Sequence, residues 1–232
     1  MLTAMRVISY NLRENHASGE LVGLVERFDP DVLCLQECAT GLPEHIGGLR
    51  LAGATMRNRL GLALYYRQHR FETVATKAFA LKKSLHDHLL APAHERLVGT
   101  RLVDAEAGRE IVMASFHAAP LTAANSLRRA QIDAAHAMLR DLGPGLPTLM
   151  VGDFNYPWFQ KSLRARMMQS GYELSRSDTT TYARYKYFRG HFDFATSTGL
   201  RVDAVETLPA GASDHKPILV SAAYKEGAEA AA

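Results

Sequence analysis

The sequence predicts an α/β layered sandwich, two packed sheets flanked by helices. Three observations carry this reading. Apolar runs of strand length, such as residues 5–10, 32–36 and 149–151, recur along the chain between turn formers. Helical spacing is confined to residues 19–28, 122–142 and 158–169. No repeat, linker or composition shift interrupts the 232 residues, which points to a single domain over residues 1–224 and a frayed tail at 225–232.

In chain order, Met-Arg-Val-Ile-Ser-Tyr at 5–10 is a strand ending at Asn11. Residues 19–28 form a helix with Leu21, Leu24, Val25 and Phe28 on one face, stopped by Asp29-Pro30. Residues 32–36 are a second buried strand closed by Glu37. Residues 59–66, 71–80, 95–103 and 110–116 read as a four-strand meander. The segment 82–94, with His86-Asp87-His88, reads as a solvated loop, because His-x-His without a third ligand makes a poor metal site. A helix over 122–142, capped by Thr122 and ended by Gly143-Pro144, keeps Leu127, Ala130, Ala134, Met138 and Leu142 on one face. A strand at 149–151, a helix at 158–169 and strands at 192–196, 202–207 and 216–222 complete the chain.

Bulk properties describe an ordinary globular protein, with 47% hydrophobic and 22% charged residues. The formal net charge of +3 permits a polyanionic partner without demanding one, and no Lys/Arg block marks a nucleic-acid tail. No bilayer-length apolar stretch or signal-peptide pattern is visible, so the expected location is cytoplasmic. Cys34 and Cys38 on one strand would stand on the order of 13 Å apart, too far to bridge, which predicts two reduced thiols, one of them buried.

Chemistry concentrates at strand ends. In Leu149-Met150-Val151-Gly152-Asp153-Phe154-Asn155 an apolar run ends in a carboxylate and a carboxamide on one face. Such a pair suits phosphate chemistry: the carboxylate orients and deprotonates water, and the amide donates to the developing oxyanion. An Asx turn would account for the same residues. Glu37 is costly at the end of an apolar strand unless it meets a cation or the surface, which makes it the leading metal-ligand candidate. Ser213-Asp214-His215 places an acid and an imidazole before the last strand, and Asp193, lying within an apolar run, is the candidate that orients His215. Between residues 181 and 189 aromatic rings alternate with Arg184, Lys186 and Arg189, a mixture that can contact nucleic acid or simply form an exposed loop.

In this order, Ser-Tyr-Asn11-Leu, Leu-Gln-Glu37, Phe-His117-Ala-Ala-Pro, Gly-Asp153-Phe-Asn155, Asp193 and Ser-Asp214-His215 resemble the endonuclease/exonuclease/phosphatase superfamily, and Phe-His117-Ala-Ala-Pro its deoxyribonuclease I branch in particular. The resemblance implies a four-layer α/β/β/α sandwich of two mainly antiparallel or mixed sheets. It implies a metal-dependent phosphoric ester hydrolase, most simply a nuclease-type phosphodiesterase using Mg²⁺, with Mn²⁺ as a substitute. The implied partner is a phosphate-ester substrate, DNA included, with no obligate protein partner. It casts Glu37, Asn11 and Asp214 as metal residues, Asp153 as the water-positioning group, Asn155 and His215 as phosphate contacts, and Asp193 as the partner of His215. It further implies that His117 is a general acid paired to Glu95, and that Asn125 and Arg128 lie on the substrate side of the central helix. The family often has Arg-Ile-Asp-Tyr where this chain has Gly190-His191-Phe192-Asp193-Phe194. A phosphatase or phosphodiesterase acting on a small molecule or lipid headgroup is the alternative, and a catalytically silent binding module is a third reading.

Overall fold

The computed structural model describes residues 4–89, 94–185 and 188–225. The chain runs β1 (Met5–Asn11), a 3-10 turn (Ser18–Glu20) into α1 (Leu21–Phe28), β2 (Val32–Cys38), β3 (His45–Ile46), β4 (Leu49–Ala54), β5 (Gly61–Arg67) and β6 (Phe71–Ala80). It continues with α2 (Leu85–Leu89), β7 (Glu95–Asp104), β8 (Arg109–His117), α3 (Asn125–Leu142), β9 (Thr148–Asp153) and α4 (Gln160–Gln169). Last come β10 (Glu173–Arg176), β11 (Tyr182–Tyr185), β12 (Phe188–Gly190), β13 (Asp193–Thr198), β14 (Leu200–Thr207) and β15 (Ile218–Tyr224).

One sheet has the order β14-β15-β1-β2-β5-β4-β3 and the other β10-β13-β9-β8-β7-β6, with β11-β12 as a separate ribbon. Each large sheet contains one parallel pair, β1 with β2 and β8 with β9, joined through α1 and α3 respectively. Between the sheets lies a core of Val7, Cys34, Leu64, Val98, Met113, Val151 and Val220. The outer face of the first sheet packs Ile8, Leu33 and Leu35 on Leu21 and Val25 of α1, and that of the second packs Ala114 and Met150 on Ile132 and Leu139 of α3. The result is the expected four-layer α/β/β/α sandwich of mixed sheets.

The meander divides differently from the sequence reading. β6, β7 and β8 are consecutive neighbours, but β5 pairs with β2 and β4 in the other sheet. Alternation alone cannot say on which sheet a strand will pair, because both sheets bury one face against the same core. The helix expected from Thr122 starts at Asn125, and Ala124 at its N-cap makes no side-chain bond, so Thr122 caps nothing. Of the segment 82–94, read from the sequence as a solvated loop, residues 90–93 lie outside the described residues, and the described part contains α2 with Ser84 and Asp87 buried at its start. Ser84 and Asp87 close a capping box, with Ser84 N and Oγ both 2.8 Å from Asp87 Oδ2 and Asp87 N donating to Ser84 Oγ at 3.2 Å. Asp87 also accepts from Nη2 of buried Arg96 through both carboxylate oxygens, at 2.7 and 2.9 Å. Cys34 and Cys38 are unbridged, and both are buried rather than one. Of the predicted tail, residues 226–232 lie outside the described residues.

One packing detail fixes the organising strand. An added Cβ on Gly152 would sit 1.8 Å from the Phe116 carbonyl oxygen, so β8 and β9 can approach this closely only with glycine there.

Buried His136 of α3 stacks on Tyr172 at 3.7 Å, and its Nε2 meets Thr196 Oγ1 at 2.9 Å. Burial pushes its pKa down from 6.5 to about 3, so the unfolded chain binds a proton that the folded chain refuses between those values. Stability from this group is therefore complete above pH 6.5 and lost as pH falls toward 3, at up to about 1.4 kcal/mol per pH unit. His136→Gln is expected to flatten the fall in urea midpoint between neutral pH and the acid side of that window. Equal midpoint shifts in wild type and variant would show that His136 does not carry it.

Candidate active site

Because β1 runs parallel to β2, and β8 to β9, the carboxyl ends of all four strands reach one rim. Asn11 and Glu37 stand at the first pair of ends, and His117 and Asp153, register neighbours, at the second. Ligands favour such strand ends in α/β folds because the loops there are free to vary. Asp193 begins β13 directly opposite Asp153. Glu37 occupies a bulge against β5, with φ of 55°, which breaks the alternation of β2 and turns its carboxylate to the rim. Asn155 is likewise left-handed, with φ of 48°.

These side chains surround a cavity of about 640 Å³, lined by Glu37, His117, Asp153, Asn155, Asp214 and His215 among others. Asn11 Nδ2 bridges two carboxylates, 3.1 Å from Asp153 Oδ2 and 3.4 Å from Glu37 Oε1, while its Oδ1 accepts the Arg13 amide at 3.0 Å. The Glu14 amide holds Glu37 Oε2 at 2.9 Å, and the Asn155 amide holds Asp153 Oδ1 at 2.9 Å. His215 Nδ1 donates to Asp193 Oδ2 at 2.9 Å, and its Nε2 lies 3.7 Å from Asp153 Oδ2. His117 Nε2 lies 3.6 Å from Asp153 Oδ2 and 3.9 Å from Glu37 Oε1. Asp214 faces Arg13 at 3.9 Å.

Burial would lower the His215 pKa, but Asp193 and Asp153 outweigh it and push it up to about 10, so the ring is a cation at neutral pH. His117 is the opposite case. Burial takes it down to about 4 against the pull of Glu37, with Arg96 and His215 adding to the fall, and it is neutral. Burial lifts Asp153 to about 7, with Asp193 and Glu37 adding to the rise and His215 opposing it. Burial likewise works to raise Glu37, but His117, the Glu14 amide and Asn11 together bring it below the ordinary carboxylate value.

Asp153, Asp193 and His215 bring ligand-type atoms within 4.8 Å of one another. A metal there would have to displace protons, because His215 is cationic and already bound to Asp193. Glu37 fits a cation better. Its side chain is partly open to the cavity, Asp214 lines the same space, and the oxygen donors suit a hard ion such as Mg²⁺. Burial is the main cause of the rise of Asp153, and the part that Asp193 and Glu37 add to it is negative charge that a cation would relieve.

Some residues named from the sequence make other contacts, and some lie outside the described residues. The Glu95 carboxylate bonds to the backbone amides of Met56 and Arg57 rather than to His117, because Glu95 starts β7 beneath the 55–60 loop and is satisfied there. Buried Arg128 donates to the Pro120 carbonyl at 2.7 Å and to Asn125 Oδ1, so both residues brace the loop after His117 instead of facing the cavity. Asn11 spaces two carboxylates and offers its amide oxygen to the backbone. Lys186 and the Arg184 side chain lie outside the described residues, and Arg189 is exposed on β12. Sequence reasoning missed Thr181, whose Oγ1 accepts the Phe192 and Asp193 amides at 3.0 and 3.2 Å. It missed Ser213, whose Oγ donates to the Asn11 carbonyl at 2.7 Å and accepts the His215 amide at 3.0 Å. It also missed Arg96, which donates to the His117 and Ala118 carbonyls at 3.3 and 3.0 Å. Only the Ser-x-x-Asp spacing at 84–87 signalled the Arg96 cluster in advance.

Among solved structures the chain is similar to the human Nocturnin catalytic domain with bound sulfate, at 18% identity and TM-score 0.76, covering 96% of this chain and 95% of that one. It is also similar to a Bacteroides thetaiotaomicron mannosyl-6-phosphatase, at 18% identity and TM-score 0.72, covering 95% and 100%. D. rerio TDP2 complexed with single strand DNA product matches at 13% identity and TM-score 0.72, covering 95% and 99%. No curated protein sequence matches the chain. At these identities the solved structures establish the fold. The model of the Endonuclease/Exonuclease/phosphatase family matches residues 8–215, from within β1 to His215, and the chain belongs to that family.

Proposed function

We propose that the protein is a divalent-metal-dependent phosphodiesterase of nuclease type. Members of the family hydrolyse phosphoesters. The observation that carries the reading for this chain is the meeting of Glu37, Asp153, cationic His215 and neutral His117 on one rim, with Asn11 between the two acids.

His215, held by Asp193, places a fixed positive charge where a scissile phosphate would carry negative charge. Asn155 lines the cavity beside it and offers its amide to a phosphoryl oxygen. Asp153, raised toward neutrality, is matched to take a proton from water near pH 7. In the step, the water oxygen bonds to phosphorus, its proton passes to Asp153, and the bond to the leaving oxygen breaks, that oxygen departing with the electron pair as an anion that takes its proton from solvent. His117 Nε2 faces two carboxylates and therefore carries hydrogen, which makes it a neutral donor toward the phosphoryl group. A divalent cation held by Glu37, with Asp214 at hand, would add Lewis-acid polarisation of the phosphoryl oxygen.

Nuclease chemistry draws support from TDP2, seen with a single strand DNA product; the small-molecule reading draws on the mannosyl-6-phosphatase. The test is hydrolysis of bis(p-nitrophenyl) phosphate in Mg²⁺, with EDTA and with Mg²⁺ restored, followed by a panel of DNA, RNA, sugar phosphates and inositol phosphates. EDTA is expected to abolish turnover and Mg²⁺ to restore it. Turnover indifferent to EDTA would sink the metal-dependent reading, and activity on phosphomonoesters alone would transfer it to the small-molecule phosphatases.

A further inference from the structure

The Glu95 carboxylate ties down a loop of the opposite sheet. Its Oε2 accepts the Met56 amide at 2.9 Å and the Arg57 amide at 2.8 Å. Asn58 completes the clamp, its Nδ2 donating to the Glu95 carbonyl at 2.7 Å and its Oδ1 accepting the Glu95 amide at 3.2 Å. At the neck of the loop, Thr55 Oγ1 accepts the Leu62 amide at 2.9 Å. The loop joins β4 to β5 in the first sheet, whereas Glu95 opens β7 in the second, so the clamp crosses between the sheets.

The two sides of the loop differ. Asn58 and Thr55 are buried beneath it, while Met56 is 83% exposed and Arg57 and Arg59 are exposed above. A loop fixed from below that turns an apolar side chain and two cations to solvent contributes little to the core. Arg59, Asn58 and Leu60 line the same cavity as Glu37 and Asp153. In the order β1-β2-β5, Glu37 stands one residue before the end of the middle strand, and the loop enters on its β5 side, opposite Arg13. A phosphate at the acidic floor would leave the next phosphate of an extended substrate on the Arg59 side. A guanidinium is suited to that group by charge and by its fork of donors.

We infer that residues 56–60 are a substrate grip, with Arg59 binding a second phosphate of a multiply phosphorylated substrate and Glu95 the residue that positions the loop. The inference rests on the phosphoesterase reading for the first phosphate. Its own test is binding, measured in chelator by anisotropy of a fluorescein-labelled eight-nucleotide oligothymidylate. Arg59→Ala is expected to weaken binding by about tenfold and to reduce the slope of log K against log salt by about 0.7, the release expected for one phosphate contact on a single strand. Glu95→Ala should lose as much as Arg59→Ala, and the double variant little more, because both remove one interaction. Glu95→Gln keeps an acceptor oxygen for the two amides and should recover most of the binding. In Mg²⁺, Arg59→Ala should lower kcat/KM for the oligonucleotide at least about tenfold more than for bis(p-nitrophenyl) phosphate, chiefly through KM.

Competition by thymidine 3′,5′-bisphosphate would show that a small bisphosphate satisfies the grip; failure to compete while Arg59 still matters would place the second phosphate on a nucleic-acid strand. Binding unaffected by Arg59→Ala overturns the grip whatever the enzyme cleaves. Arg59-dependent binding with neither ester cleaved overturns the phosphoesterase reading and leaves the grip standing. A Glu95→Gln variant as weak as Glu95→Ala, or additive losses in the double variant, removes Glu95 from the positioning role.

Discussion

Asp153→Asn is expected to cut turnover of bis(p-nitrophenyl) phosphate by at least about 10²–10³-fold, the scale for losing one preorganised group, and yet to gain stability relative to wild type as pH rises. Burial holds the Asp153 pKa at about 7, above its ordinary 3.8. The unfolded chain therefore releases this proton near pH 4 while the folded chain keeps it until near neutrality. Wild-type stability falls across that window by up to about 1.4 kcal/mol per pH unit, and the penalty stays in place above it. Asparagine cannot ionise and escapes the penalty, although it has one acceptor where Asp153 uses two, for the Asn155 amide and Asn11 Nδ2. The measurement is the denaturant midpoint in chelator, taken for both proteins at mildly acidic and mildly alkaline pH. A difference between them that does not move with pH would show that Asp153 is ionised without cost.

Glu37→Gln should behave with the opposite sign in the same assay. The sequence presents Glu37 as an uncompensated carboxylate whose removal would relieve the fold. The structure instead gives it the Glu14 amide at 2.9 Å and Asn11 Nδ2 at 3.4 Å, donors that favour the ionised form. Losing that charge is therefore expected to destabilise the metal-free chain, while activity falls as steeply as for Asp153→Asn. The two acids at one rim are thus divided, one held ready to ionise and one held ready to be neutral.

The placement of residues at strand ends was legible in the sequence, because apolar runs locate strands and polar residues at their ends face a rim. Asn11, Glu37, Asp153, Asp193 and His215 come together at one rim, and Asn155, left-handed just past β9, lines the same cavity. What it could not reach depends on cross-sheet contacts. The bulge that aims Glu37 has no signature in Gln-Glu-Cys, since φ of 55° on a glutamate is imposed by the pairing of β2 with β5. The place of Glu95 likewise turns on which loop of the other sheet lies above β7, a long-range fact that a Glu-Arg dipeptide cannot encode. The four-strand meander failed for the same reason. Period-two patterns identify a strand and its faces but not its neighbours.

The placement of Glu95 also changes what His117 is expected to do. With a carboxylate on its far nitrogen, His117 would be basic enough to arrive protonated and to donate to a poor leaving group, worth about 10²–10⁴-fold on an alkoxide and little on a nitrophenolate. Here Glu95 is occupied by the Met56 and Arg57 amides, and the pKa of His117 lies at about 4. A neutral imidazole is a weak acid, but in the tautomer with hydrogen on Nε2, which lies 3.6 Å from Asp153 and 3.9 Å from Glu37, it is a good hydrogen-bond donor. Such a donor helps both esters alike, because both develop the same charge on the non-bridging phosphoryl oxygens. His117→Ala is therefore expected to lower kcat/KM by about 10²-fold on a dinucleotide and by a similar factor on bis(p-nitrophenyl) phosphate. Glu95→Gln should leave the ratio of the two rates as it is in wild type. If His117→Ala instead cripples the dinucleotide and spares the nitrophenyl ester, the proton reaches the leaving oxygen from His117, and its role is that of a general acid.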